Sequence, residues 1–337
     1  MTDTCKVAVI GAGDMGASHV NGWQQAGHEV VSITDVDEDR ARRLSERFEV
    51  DRVCSDYRAT LADPEVEIVS ICLPLALHAP VTVAAAEAGK HILCEKPLAP
   101  GPLEARAMEK AVTRAGVQFG IGFQRNMAEG VGLLRQWAQE GVFGRPMIFS
   151  SDLLQELRPK HAMHDRNGNQ GPFTDAGCHY YLLWQTVFRS KPKTVYAQGR
   201  ILGGGRAEKF HIDMLAIDSG VVTVEFASGD IGVFTASWGL AGGFQLRGRP
   251  DRVIGPDGGA QGEVNNELTL YRGDGEETVE IEGRNLHKVQ AERFAEALRG
   301  GRPFPNGMRE AKQIMSVTLA IHRSIDSGRP EPVSYEW

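Results

Sequence analysis

Paired cysteines, a surplus of basic residues and long hydrophobic runs are all missing from this sequence of 337 residues. The cysteines are five, Cys5, Cys54, Cys72, Cys94 and Cys178, an odd set with no C-x-x-C pair. Neither a disulfide framework nor a zinc site is expected from such spacing, and no metal is assigned. Reduced thiols are the default, and Cys72 and Cys94, set in apolar strand-like runs, read as small core residues. Lysine and arginine number 37 against 44 acidic residues, a net charge of -7. A nucleic-acid or anionic-membrane partner needs a clustered basic face, so a small-molecule partner is expected instead. No apolar segment approaches the roughly 18 to 20 residues that span a bilayer. Met1 to Lys6 run directly into the apolar Val7 to Ile10 with no leader pattern, and a cytoplasmic location is expected. Internal repeats and biased tracts are absent as well.

What is present is the composition of a folded globular protein, 42% hydrophobic and 24% charged. The length suits two domains of roughly 100 to 200 residues each. Residues 6 to 121 alternate strand-like runs (Val7 to Ile10, Val30 to Thr34, Ile68 to Cys72, His91 to Cys94, Val117 to Ile121) with helix-like segments such as Asp37 to Phe48 and Val81 to Ala88. Such alternation predicts a doubly wound parallel sheet with helices on both faces, a Rossmann-type α/β domain over 1–122. Beyond Gly122, strands follow strands. Val221 to Phe226 and Ile231 to Trp238, joined by a short Gly-containing connection, predict an antiparallel hairpin. The expectation for 123–337 is an α+β domain with a large, mostly antiparallel open sheet, which can leave one face for a partner or a cofactor. Two helices, Lys288 to Arg299 and Arg309 to Ser327, are predicted near the end of the chain.

The motif carrying chemistry comes first along the chain. Gly11-Ala12-Gly13-Asp14-Met15-Gly16 places G-x-G-x-x-G between a strand and a helix. Gly11 allows the tight turn, Gly13 a close approach of backbone to a pyrophosphate, and Gly16 close packing of helix on strand, while the helix amino terminus offers N–H groups to the anion. Asp35 stands at the end of the second strand, 19 residues after Gly16. A carboxylate there accepts hydrogen bonds from ribose hydroxyls and repels a 2′-phosphate, so the cofactor expected is NAD rather than NADP. The competing use of Asp35 is as the cap of the following helix. Glu95-Lys96-Pro97 closes another strand-like run, at the sheet edge where ligands of α/β folds bind, although a lysine there is commonly just a surface residue.

The sequence resembles the glucose–fructose oxidoreductase and inositol dehydrogenase (Gfo/Idh/MocA) family. The matching pieces are the glycine loop with His19 after it, Ala88-Gly89-Lys90-His91-Ile92-Leu93-Cys94-Glu95-Lys96-Pro97-Leu98-Ala99, and Asp175-Ala176-Gly177-Cys178-His179, in the family's order. The resemblance implies oxidation of a secondary alcohol or reduction of a ketone, with His179 as general acid/base, Asp175 as its partner and Lys96 stabilising charge on the substrate oxygen. In the family the D-x-G-x-H segment lies on a helix facing the nicotinamide, and an i, i+4 spacing puts Asp175 and His179 on one helical face. An unperturbed imidazole pKa near 6.5 suits proton exchange near neutrality.

By the same resemblance Leu73, Pro74, His78, Glu95 and Lys96 join the cofactor site. Leu73-Pro74-Leu75 replaces the family's Thr-Pro-Asn, so a polar contact near the cofactor is expected to be missing, and Leu182 stands where an Asp is frequent. Tyr180 and Tyr181 are the alternative acids beside His179. Substrate contacts are expected from Lys96, Arg125, Asn126, His161, Asn167, Asp175 and His179, the loop from His161 to Gly171 being dense in donors and acceptors, which is also ordinary for a solvated loop. The substrate expected is a carbohydrate or polyol, and the resemblance suggests a homodimer or homotetramer. Competing readings are a redox-neutral, NAD-using glycoside-cleaving enzyme and a non-catalytic sensor on the same fold.

Overall fold

A computed structural model describes residues 4–156, 161–203, 205, 208, 211–242, 251–273 and 275–337. Residues 1–3, part of the stretch read above for a leader, lie outside them. The chain forms two compact units, residues 1–124 with 284–312, and residues 125–283 with 313–337.

The first unit holds six parallel strands, β1 (Lys6–Ile10), β2 (Glu29–Thr34), β3 (Arg52–Cys54), β4 (Ile68–Ile71), β5 (His91–Cys94) and β6 (Phe119–Ile121), in the order β3-β2-β1-β4-β5-β6. Between them run α1 (Asp14–Gln25), α2 (Glu38–Phe48), α3 (Tyr57–Ala62), α4 (Leu75–Glu87) and α5 (Pro102–Ala115). The central strands β1 and β4 are buried on both faces, with Val7, Val9, Ile68 and Ile71 fully excluded from solvent. That burial is why these runs read as continuous apolar stretches rather than alternating ones. The strand order reverses between β1 and β4, and loops at the carboxyl ends of these strands form the crevice in which ligands of such sheets bind.

The short strand β3 carries no apolar signature and was invisible to pattern reading. So was the return of 284–312 to this unit: Gly22 of α1 lies directly against His287 of α10 (Leu286–Arg299), leaving no space for a β-carbon. The domain boundary expected near Gly122 is thus interrupted by a later segment.

The second unit is built on a nine-stranded sheet in the order β14-β13-β12-β11-β7-β10-β9-β8-β15. Its strands are β7 (Ile148–Glu156), β8 (Pro192–Arg200), β9 (Ser219–Phe226), β10 (Ile231–Leu240), β11 (Asp251–Ile254), β12 (Gly258–Glu263), β13 (Glu267–Arg272), β14 (Gly275–Glu280) and β15 (Glu331–Pro332). Every pairing is antiparallel except β7 with β10. The predicted hairpin is β9 and β10, paired Ile231 to Glu225 through Ser237 to Ser219. The helices of this unit are α6 (Glu129–Gln139), the short α7 (His161–His164) and α8 (Pro172–Asp175), and α9 (Gly177–Phe188), while α11 (Met308–Ser327) has its first residues, 308–312, in the other unit. Tyr180, Tyr181, Trp184 and Phe188 of α9 meet Phe149, Phe226 and Phe234 of the sheet in an aromatic core. Among the described residues no helix is long and apolar enough to cross a membrane.

Candidate active site

In the first unit the glycine loop leaves β1 at Gly11, whose φ of 106° is accessible to glycine and whose N–H donates to Thr34 O at 2.7 Å. A β-carbon on Gly16 would collide with the Gly11 carbonyl oxygen, so the third glycine lets α1 sit tightly on the turn. A β-carbon on Gly13 would meet no protein atom within 4 Å. The middle glycine therefore answers to no packing demand of the protein, and it is also the N-cap of α1, bringing no side chain to the first-turn N–H groups. An open, side-chain-free helix amino terminus is what a dinucleotide pyrophosphate requires, and the site fits that group.

Asp35 is 9% exposed and accepts two backbone N–H bonds, from Ala12 at 2.8 Å and from Asp37 at 2.9 Å. The cap of α2 is a different residue, Asp37, whose side chain accepts from Arg40 N. Asp35 is thus released from capping and instead ties the glycine loop to the end of β2, with an ionised carboxylate's remaining lone pairs able to accept ribose hydroxyls. Arg40 stands 3.8 Å from Asp35 and 3.4 Å from Asp37, paired with both acids.

At the neighbouring strand end, Leu73 approaches Gly11, and Pro74 is the N-cap of α4. His78 is buried and lies between two carbonyl oxygens, Pro97 O at 2.8 Å and Leu73 O at 2.9 Å. Burial lowers its pKa against the pull of those carbonyls. It braces the β4–α4 loop against the Glu-Lys-Pro turn, and that contact explains its presence without a ligand.

Glu95 is 4% exposed. Its Oε1 accepts from His19 Nε2 at 2.9 Å, and its Oε2 from the Lys96 N–H at 3.2 Å. Burial pushes this carboxyl up, but the hydrogen bond and charge of His19, with Lys96 and His287 adding to them, bring it down to about 2. Lys96 itself is half-buried at the end of β5. His19 was legible only as part of a motif, and His287, about 190 positions beyond Glu95 in the chain, gave no signal at all.

In the second unit the D-x-G-x-H segment is not one helix. Asp175 ends α8, Ala176 stands between the two helices with right-handed helical dihedrals, and His179 sits in the first turn of α9 with its N–H on Ala176 O at 3.1 Å. The single helix expected across the motif is divided at Ala176 into α8 and α9. The motif's glycine has a steric cause: a β-carbon on Gly177 would collide with the Tyr181 hydroxyl, which donates to Phe173 O at 3.1 Å. Asp175 is 3% exposed and accepts from Asn169 Nδ2 at 3.0 Å, while His179 is partly exposed. Cys178 donates its thiol to Asp175 O at 3.3 Å, consistent with a core role.

Both tyrosines beside His179 are packing residues. Tyr181 is fully buried, and burial raises its pKa well above the ordinary tyrosine value, which keeps the phenol neutral. Tyr180 stacks on Phe234 with ring centroids 4.6 Å apart, and the Arg125 guanidinium lies 4.8 Å above its ring. Arg125 also pairs with the buried Asp251, which accepts from Ser151 at 2.8 Å, so this arginine is anchored within its own unit. Asn126 accepts from Thr186 at 2.9 Å. His161 and Asn167 are exposed and hold the chain near 211–214, His161 through His211 O and Asn167 through Met214 Sδ at 3.6 Å. Asn169 of the same polar loop reaches Asp175.

Two family models match the sequence. One, described as an oxidoreductase family with an NAD-binding Rossmann fold, covers residues 5–123, and the other, a GFO/IDH/MocA C-terminal domain, covers 131–261. An uncharacterized oxidoreductase, ORF334, of Rhizobium meliloti is 30% identical over 91% of this chain and 92% of its own. The myo-inositol 2-dehydrogenase of Thermotoga maritima is 26% identical over 72% of this chain and 71% of its own. Among solved structures, levoglucosan dehydrogenase in complex with NADH and levoglucosan superposes with a TM-score of 0.86 at 22% identity, covering 98% of this chain and all of that one.

Proposed function

Because this chain belongs to the Gfo/Idh/MocA family of NAD-binding oxidoreductases, we propose that it oxidises a secondary hydroxyl of a sugar, inositol or related cyclic polyol, or reduces the corresponding ketone. The observation that carries this reading is the Asp175–His179 pair, a buried carboxylate that accepts from Asn169, followed four positions on by a partly exposed imidazole. It is supported by the names of relatives, an inositol dehydrogenase and a levoglucosan dehydrogenase, both of which act on ring alcohols.

The glycine loop and Asp35 hold NAD, which when bound supplies the hydride acceptor. The chain supplies the proton chemistry. His179 takes the hydroxyl proton during oxidation and returns it during reduction, and the Asp175 carboxylate favours the protonated imidazole that results. Lys96 contributes a positive charge to the substrate oxygen as it becomes anionic. Asn169 joins the site as the residue that fixes Asp175.

A screen of inositols, aldoses, glycosides and uronic acids with NAD and NADP in parallel tests the reading through formation of the reduced nicotinamide. Turnover with a ring alcohol and NAD is expected, and none with any of these alcohols removes the proposal. Replacing His179 by alanine is expected to lower kcat by about 10²- to 10⁴-fold while NADH affinity stays within about twofold. Five cysteines without a disulfide fit a cytoplasmic enzyme. We assign association with a second copy to the exposed face of the second unit's sheet, where Ile148, Ile231 and Ile254 stand side by side on adjacent strands, 36% to 56% exposed.

A further inference from the structure

Behind the Glu-Lys-Pro turn lies a buried polar chain that the proposed reaction does not yet use. The Trp23 indole N–H donates to Ser70 Oγ at 2.8 Å, and Ser70 Oγ lies 3.0 Å from His19 Nδ1. His19 Nε2 is bonded to Glu95 Oε1, and Glu95 Oε2 accepts the Lys96 N–H. Because an ionised carboxylate can only accept, His19 Nε2 carries the proton in that bond. All of Ser70, His19 and Glu95 are at least nine-tenths buried. On the other side, Gly122 at the end of β6 leaves the space the carboxylate fills, since a β-carbon there would collide with it. His287 of α10 stacks obliquely on His19 with ring centroids 5.5 Å apart.

We infer that Glu95 is the positioning residue for Lys96: its buried carboxylate, locked by His19 and Gly122, fixes the strand-end backbone from which the lysine projects and places a fixed negative charge behind its ammonium. This inference rests on the proposed role of Lys96 in alcohol oxidation. It moves Glu95 from the cofactor site, where sequence comparison had set it, to a layer behind the site. A buried carboxylate is costly to keep ionised, and the Trp23–Ser70–His19 chain is what offsets that cost. The function it serves is geometric, because a displacement of about 1 Å in a catalytic group can cost roughly 100-fold in rate.

The three donor atoms of His19, Glu95 and His287 lie within 4.8 Å of one another, a set that also invites a divalent cation. The His19–Glu95 hydrogen bond at 2.9 Å satisfies those two groups without a metal, which favours the positioning role.

The test uses the full chain, the alcohol found by the screen, and five variants: Glu95→Gln and Gly122→Ala, with Lys96→Met, Lys96→Met combined with Glu95→Gln, and His287→Ala as controls. Glu95→Gln removes the charge while keeping an acceptor, and Gly122→Ala displaces the carboxylate while keeping every polar group. Both are expected to lower kcat about 10- to 100-fold with KM for NAD changed less than about threefold. In the Lys96→Met background, Glu95→Gln is expected to cost less than about twofold more, because its effect runs through the lysine. Full additivity in that background, or unchanged kcat in Glu95→Gln and Gly122→Ala, overturns the inference. So does one equivalent of zinc in the purified protein that is lost in His287→Ala. Unimpaired turnover by Lys96→Met alone, or no turnover with any ring alcohol, identifies the failure as that of the proposed reaction instead.

Discussion

Asp35 shows how one carboxylate can serve the fold and the cofactor together. Its two backbone hydrogen bonds hold the glycine loop, so replacing it does more than alter cofactor preference. Asp35→Ala leaves the Ala12 and Asp37 N–H groups without this acceptor, and we expect a loss of about 1–3 kcal/mol in denaturant unfolding. We also expect a narrowed ratio of NAD to NADP use, since the repulsion of a 2′-phosphate goes with the charge. An undiminished ratio would leave Asp35 a purely structural residue. Asp35 was legible because its distance from Gly16 and its place after an apolar run are both local. Asn169 was not, because nothing local separates it from Asn167, His161 and the other polar residues of its loop.

At the scale of the element, the turn from β1 into α1 separates two kinds of glycine that the motif writes with one letter. Gly16→Ala drives a β-carbon into the Gly11 carbonyl, and Gly13→Ala meets no protein atom. We expect Gly16→Ala to destabilise the protein by about 1–3 kcal/mol, as overpacking does. Gly13→Ala is expected to keep the melting temperature within a few degrees while weakening NADH binding at least tenfold, read by fluorescence titration. Equal effects of the two on stability would contradict the assignment. The junction between α8 and α9 is the opposite lesson. D-x-G-x-H has helical spacing, yet Asp175 ends α8 and His179 lies in α9, with Ala176 between the two helices.

For the whole molecule, acid sensitivity follows from its buried and half-buried histidines. Burial lowers the pKa of His28, His78, His91, His287 and His322 from their ordinary value near 6.5, His287 to about 4. A depressed histidine is neutral in the folded state while the unfolded chain takes up a proton, so its contribution to stability is complete above pH 6.5 and is lost as pH falls toward 4. Glu95, held near 2, adds a second decline, present above its unfolded value near 4.5 and lost as pH falls to about 2. Unfolding free energy should therefore drop steadily below pH 6.5. His287→Gln should make the slope between pH 6.5 and 4 shallower by about one proton, and an unchanged slope would show that His287 does not titrate there. Association is a second property at this scale: Ile148→Asp with Ile254→Asp, both on the exposed sheet face, is expected to shift sedimentation toward the monomer with the monomer's secondary structure intact.

Local chemistry in the sequence determined the α/β character of the first unit and the NAD-type loop, because turns, strand ends and motif spacing are short-range properties, while Lys96, Asp175 and His179 became candidates through the family resemblance of the motifs that hold them. The β9–β10 hairpin was legible for the same reason. Tertiary structure alone decided that 284–312 returns to the first unit, that His287 and His19 meet around Glu95, and that Arg125 is anchored by Asp251. Those contacts join residues more than seventy positions apart, and no pattern of period two or 3.6 carries information over such a distance.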